Sequence, residues 1–188
     1  MAWALGMGCA TMASLSVAAM GVAGLAAAVV GFGAGPTSGG AVDAGAAPAA
    51  GDIPPAMLAL YRQAATTCPG LSYAVLAAIG TVESSNGTST APGVQSGANA
   101  AGAEGPMQFL PATFAQYALP VPPGGAQPPS PYDPTDAVYA AARLLCADGA
   151  GSQDASALAA AVFSYNHSAA YVEEVFALAD AYVTALGP

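Results

Sequence analysis

The chain contains no lysine, and its only fixed cations are Arg62 and Arg143, set against 11 Asp and Glu residues for a formal charge of −9. A protein so short of positive charge has no basic patch with which to grip nucleic-acid phosphates, so no nucleic-acid partner is expected. Without lysine, Ser–Lys catalysis and lysine Schiff-base chemistry are excluded. Charge alone would not hold such a protein on an anionic wall or membrane. Histidine is represented only by His167, and no Cys-x-x-Cys occurs, so no metal site is expected. Strand-type alternation is also missing, which points to an all-α fold. From Met1 to Gly35 there is no charged residue at all.

That charge-free run exceeds the ~20 residues a membrane-spanning helix needs. It reads as a signal peptide or as an uncleaved membrane anchor, with small residues (Gly31, Gly33, Ala34, Gly35) near its end as a cleavage site requires. It carries no basic n-region, and Cys9 lies too near the start for a lipoprotein context. Residues 36–51 are rich in Gly, Ala, Pro and Ser without periodicity, as in a flexible linker. Residues 52–188 form the expected folded domain. The expected localisation is therefore outside the cytoplasm: secreted, in the wall, or anchored to the outer face of the cytoplasmic membrane.

Within the domain, helical spacing of apolar residues marks about six helices joined by long loops. Asp52 can cap the first, with Pro54 and Pro55 in its opening turn and Met57, Leu58, Leu60 and Tyr61 on its apolar side. The second occupies 71–84. A short one starts at Pro111, a longer one follows the Asp133-Pro134 start signal, and the last two cover about 153–165 and 168–186. The stretch 85–105 is loop by composition, and loops that long are commonly functional or disordered. Cys68 and Cys146 are the cysteines of the domain. An exported chain favours a disulfide between them, although two buried thiols fit the same letters.

The stretch Leu71–Gly87 stands out. Tyr73, Leu76, Ile79 and Val82 form an apolar stripe that runs directly into Glu83, and Asn86-Gly87 ends the helix. A carboxyl group in the last turn meets the negative end of the helix dipole. Partial burial would further disfavour its charge and raise its pKa. A general acid that keeps its proton near neutral pH needs those conditions. A solvated helix end fits the same letters.

Taken in order, Glu83-Ser84 closing an apolar helix, Gly105-Pro106-Met107-Gln108-Phe109 with Pro111-Ala112-Thr113, Asp133-Pro134, and Tyr165-Asn166 resemble soluble lytic transglycosylases, the lysozyme-like enzymes with the SLT domain. The resemblance covers about 71–166. It implies a lysozyme-like helical domain with a substrate groove and peptidoglycan glycan strands as the partner. Glu83 matches the family's catalytic acid/base, and Ser84 the serine after it that helps bind substrate. Met107 and Gln108 match the segment that shapes the sugar groove. Tyr165 matches the tyrosine that hydrogen-bonds the catalytic carboxyl, with Asn166 beside it. Pro106 replaces the family's usual leucine, and Asp136 stands where asparagine is common. The 83–105 loop has no aromatic residue, so sugar stacking falls to Phe109, Tyr117 or Tyr132.

Ordinary glycoside hydrolysis takes two carboxylates. The family's solution resembles self-attack. One acid protonates the oxygen between N-acetylmuramic acid and N-acetylglucosamine, then takes a proton from the muramic 6-hydroxyl as it closes onto C1. No cofactor is implied, and a monomer is expected. A hydrolytic muramidase using Glu104 or Asp133, and an inactive peptidoglycan-binding module, are the alternatives.

Overall fold

The computed structural model describes residues 50–188, so the expected export segment and most of the linker lie outside the described residues. Six α-helices follow one another: α1 (Pro55–Ala65), α2 (Tyr73–Ser84), α3 (Pro111–Tyr117), α4 (Pro134–Ala147), α5 (Ala155–Asn166) and α6 (Ala169–Leu186). Among the described residues the only β pairing is one isolated antiparallel bridge, between Glu104 and Phe109. None of the described helices is long and apolar enough to cross a membrane. The all-α expectation is met.

Helix α2 is the axis of the domain. Every residue from Tyr73 to Gly80 is buried. A helix apolar all round must be covered on all sides, and α1, α4 and α6 pack against it. The coverage is close because much of it is alanine: Ala74, Ala77 and Ala78 of α2 and Ala137, Ala140, Ala141 and Ala142 of α4 are fully buried. Alanine loses no rotamer entropy on burial and lets helix axes approach. Tyr61, Leu76, Ile79, Val138, Leu145, Val162, Val175 and Tyr182 fill the remaining volume. Gly80 marks the tightest approach, since a Cβ there would lie 2.0 Å from the Tyr61 hydroxyl.

Two helix starts differ in kind. Asp133 caps α4 as expected, its carboxylate accepting from the N–H groups of Thr135 (2.9 Å) and Asp136 (3.1 Å). Asp52 does not cap α1. It lies in a 3-10 turn at Ala50–Asp52, and Pro54 occupies the cap with no side-chain bond. A residue before proline is pushed out of the α region, so Pro55 fixes the start at itself. Asp136 has no capping role. It is fully buried, and its Oδ2 accepts from the N–H groups of Ala126 (3.1 Å) and Ser130 (2.9 Å), holding the loop that precedes α4.

Cys68 and Cys146 are joined in a disulfide with Cα atoms 5.7 Å apart, which ties the α1–α2 turn to the end of α4.

Candidate active site

The end of α2 is built to stop at one place. Ser85, Asn86 and Gly87 all take left-handed conformations (φ 52°, 58° and 80°). The N–H of Asn86 returns to Gly80 O (2.8 Å) and that of Ser85 to Thr81 O (2.9 Å). This Schellman-type closure satisfies the last carbonyls without a glycine at its first position. The Asn86 side chain compensates for its strained backbone. It accepts from the Tyr61 hydroxyl (3.0 Å) and donates to Thr81 Oγ1 (3.0 Å), which in turn bonds the Tyr182 hydroxyl (2.8 Å). Helices α1, α2 and α6 are thus stitched together directly behind Glu83.

Glu83 occupies the last turn of α2 and is half-buried. Its Oε1 accepts from the Tyr171 hydroxyl at 2.7 Å. Burial pushes the carboxyl up from 4.5 to about 7, and the Tyr171 hydrogen bond opposes that rise because it favours the charged form. Tyr171 is in the first turn of α6, where Ser168 caps the helix. Its ring lies parallel to that of Tyr165, with centroids 6.5 Å apart and planes at 7°. Burial, followed by the neighbouring Glu83 charge, pushes both phenols well above the ordinary tyrosine value. Both therefore remain donors. Tyr165 gives its proton to Met107 O at 2.8 Å.

The segment 104–109 forms the facing wall. Glu104 and Phe109 exchange N–H···O bonds of 2.9 Å each, and Gln108 N returns to Gly105 O (3.1 Å). Gly105 (φ 78°) is required by contact as well as conformation, since a Cβ would meet Pro131 O at 1.7 Å. Gln108 takes a left-handed φ of 48°. Its amide donates to Gly105 O (2.8 Å) and accepts from Asn99 Nδ2 (2.9 Å). Ser84 joins the two walls, donating to Pro106 O (2.5 Å) and accepting from Gly87 N (2.7 Å). The arrangement presents one carboxyl with a raised pKa, bonded by a phenol, beside the hydrogen-bonded 104–109 hairpin.

Residues 61–184 match the family model described as "Transglycosylase SLT domain". The chain belongs to the transglycosylase SLT domain family. No curated protein and no solved structure matches the chain. At the family level, membership supports a transglycosylase-type function on peptidoglycan, with an extracytoplasmic place of action.

Within this SLT domain the expected residues separate by role. Glu83, Met107 and Tyr165 are brought together, but the tyrosine bonded to Glu83 is Tyr171, while Tyr165 bonds the Met107 carbonyl. The Met107 side chain is fully buried and Ser84 is 3% exposed, so neither side chain offers a surface to substrate. Both instead hold the hairpin against α2. Gln108 lines a cleft with Tyr165 but spends its amide on its own loop. Asn166 is exposed at the end of α5. Phe109 is buried against Phe114 and Tyr165, which removes it as a stacking platform. Tyr132 is half-buried, with its hydroxyl on Gly97 O. Sequence reasoning missed Tyr171. Its signal is a tyrosine three residues after the Ser168 cap, in a helix otherwise read for its aliphatic face.

Three roomier clefts of 310–340 Å³ lie elsewhere, along α1 and beside the disulfide and α5, and Glu83 lines none of them.

Proposed function

We propose that the protein is a peptidoglycan lytic transglycosylase that cleaves the β-1,4 bond between N-acetylmuramic acid and N-acetylglucosamine and leaves a 1,6-anhydro-muramic end. The observation that carries this reading is Glu83: a half-buried carboxyl at about 7, held by one phenol. In the first step protonated Glu83 gives its proton to the bridging oxygen, and the C1–O bond breaks. In the second, the resulting carboxylate accepts the proton of the muramic 6-hydroxyl as that oxygen bonds to C1. The proton count returns to its start, no water is consumed, and no second carboxylate is needed. Of the two candidate second carboxylates, Asp133 has its Oδ1 engaged by two backbone N–H groups at the start of α4.

The same reading takes residues 1–35 as the export or anchor segment, 36–51 as the linker and 52–188 as a monomeric catalytic domain acting on glycan strands outside the cytoplasm. No cofactor enters it. Digestion of purified sacculi followed by mass spectrometry tests the reaction. The expected product is lighter by one water than a hydrolytic muropeptide, and Glu83→Gln abolishes its release while the domain stays folded. Products of hydrolytic mass, or full lysis by Glu83→Gln, would overturn the reading.

A further inference from the structure

The hydrogen bonds behind Glu83 leave no hydroxyl proton unassigned. Thr81 Oγ1 carries one proton and gives it to Ala77 O (2.9 Å). That oxygen can therefore only accept from its other neighbours, Asn86 Nδ2 (3.0 Å) and the Tyr182 hydroxyl (2.8 Å). The Asn86 amide is thereby oriented, and its Oδ1 accepts from the Tyr61 hydroxyl (3.0 Å). Donation runs one way, from Tyr61 to Asn86 to Thr81 to the Ala77 carbonyl, with Tyr182 joining at Thr81. Tyr61 and Tyr182 are fully buried and Asn86 nearly so. A buried polar network with every member satisfied favours a single arrangement. Gly80 leaves room for this one, since a Cβ there would lie 2.0 Å from Tyr61 Oη and 3.3 Å from Asn86 Oδ1.

The network reaches the acid through α6. Tyr171 in the first turn of α6 bonds Glu83, and Tyr182 on the same helix bonds Thr81. Their spacing, at 3.6 residues per turn, is about three turns with ~20° over, so both tyrosines leave one face of α6. Helix α6 thus grips the end of α2 at two points. The other buried residues of α6 are Val175, Leu178 and Ala179. Apolar contact of that kind is non-directional and sets no register, whereas a hydrogen bond does. At the far end Tyr73 donates to Gly187 O (2.6 Å), past the last residue of α6.

We propose that Asn86, Thr81 and Tyr182 are positioning residues for the acid: they fix the register of α6 on α2 and so keep the Tyr171 hydroxyl on Glu83. None of the three touches the carboxyl by a hydrogen bond of its own. The proposal deepens the transglycosylase reading and rests on it for the reaction served.

The full chain carrying Tyr182→Phe tests it, with kcat and KM measured on soluble, peptide-free glycan strands. The expected result is a kcat lower by about 3- to 10-fold at unchanged KM, in a protein whose melting curve shows it folded at the assay temperature. Thr81→Val should repeat the loss, and Thr81→Ser, which keeps the hydroxyl, should retain the parental kcat. In a Tyr171→Phe background, Tyr182→Phe should add nothing, because the contact it supports is already gone. Carbon-13 NMR of the Glu83 carboxyl, assigned by its absence in Glu83→Gln, gives a readout that needs no turnover. Around that carboxyl, Tyr171 touches it, Tyr165 of α5 stacks on Tyr171, Glu174 follows one turn along α6, and Tyr61 of α1 belongs to the network. Tyr182→Phe keeps all four and should move the titration midpoint up, in the same direction as Tyr171→Phe and no further. A folded Tyr182→Phe protein with parental kcat and parental midpoint would overturn the proposal. So would a loss that persists in full in the Tyr171→Phe background. Wall-digestion products of hydrolytic mass would sink the transglycosylase reading alone, and the Glu83 titration would still decide the positioning role.

Discussion

At the residue scale, Glu83 is a cost to the fold as well as the centre of the proposed chemistry. Its proton is held more tightly in the folded state, at about 7, than at the ordinary 4.5. Stability is therefore lost as pH rises from about 4.5 to about 7, and above that range the folded protein carries the full penalty of a half-buried charge. Glu83→Gln removes the penalty. Chemical denaturation at pH 8 should find the variant about 1–3 kcal/mol more stable than the parent, and the difference should shrink towards zero by pH 4. Activity and stability thus move in opposite directions at one side chain. Tyr171→Phe makes a second prediction. The lost hydrogen bond favoured the charged carboxyl, so the alkaline limb of the pH–rate profile should move upward. The rate constant for wall cleavage should fall about tenfold or more, because the carboxyl loses the contact that fixes its position. A turbidity assay on sacculi across pH reads both effects.

At the scale of elements, the end of α2 decides whether the acid faces its hairpin. Ser84→Ala deletes the bonds to Pro106 O and Gly87 N and leaves both backbone groups without that partner. Unfolding in urea should register a loss of about 2–3 kcal/mol. Activity should fall beyond what the unfolded fraction explains, since the hairpin that receives Tyr165 is then less well held. Helix positions were readable because burial imposes a period on apolar residues, and the observed ends differ from the expected ones by only a few residues. Asn86-Gly87 announced the stop after Glu83, and Asp133 announced the start of α4. Roles were less readable than positions. Ser84 and Met107 resemble residues that line a sugar groove, yet their side chains point inward, and no local pattern records which way a loop residue turns. Tyr165 and Tyr171 are separated by the break between α5 and α6. Which of them reaches Glu83 depends on how the last helix packs on α2, and that contact is between residues 88 positions apart. Asp52 was misread because Pro55 keeps the residue before it out of the α region, which puts the cap at Pro54.

At the scale of the whole domain, alanine-lined packing brings the helices close but buries little apolar area per residue. The Cys68–Cys146 bridge adds a covalent constraint across a sequence separation of 78. In the chain-entropy model a loop of that length contributes about 4.5 kcal/mol. Reduction under mild denaturant should lower the unfolding free energy by an amount of that order. Calorimetry with and without reductant measures it, and an unchanged transition would mean that the helices alone hold the fold. The bridge lies at the α1–α2 turn, at the opposite end of α2 from Glu83. Reduction should therefore lower the melting temperature more than it lowers activity at low temperature.

The parallel pair Tyr165 and Tyr171 has an optical consequence. The chain has a single tryptophan, Trp3, at its extreme N-terminus and far in sequence from the helical domain. These two phenol rings, among the eight tyrosines of the chain, sit in a fixed asymmetric setting beside the acid and therefore contribute to the near-ultraviolet dichroism of the domain. Titrating Glu83, or filling the groove beside Tyr165, changes the field on that pair and can be followed with no label attached.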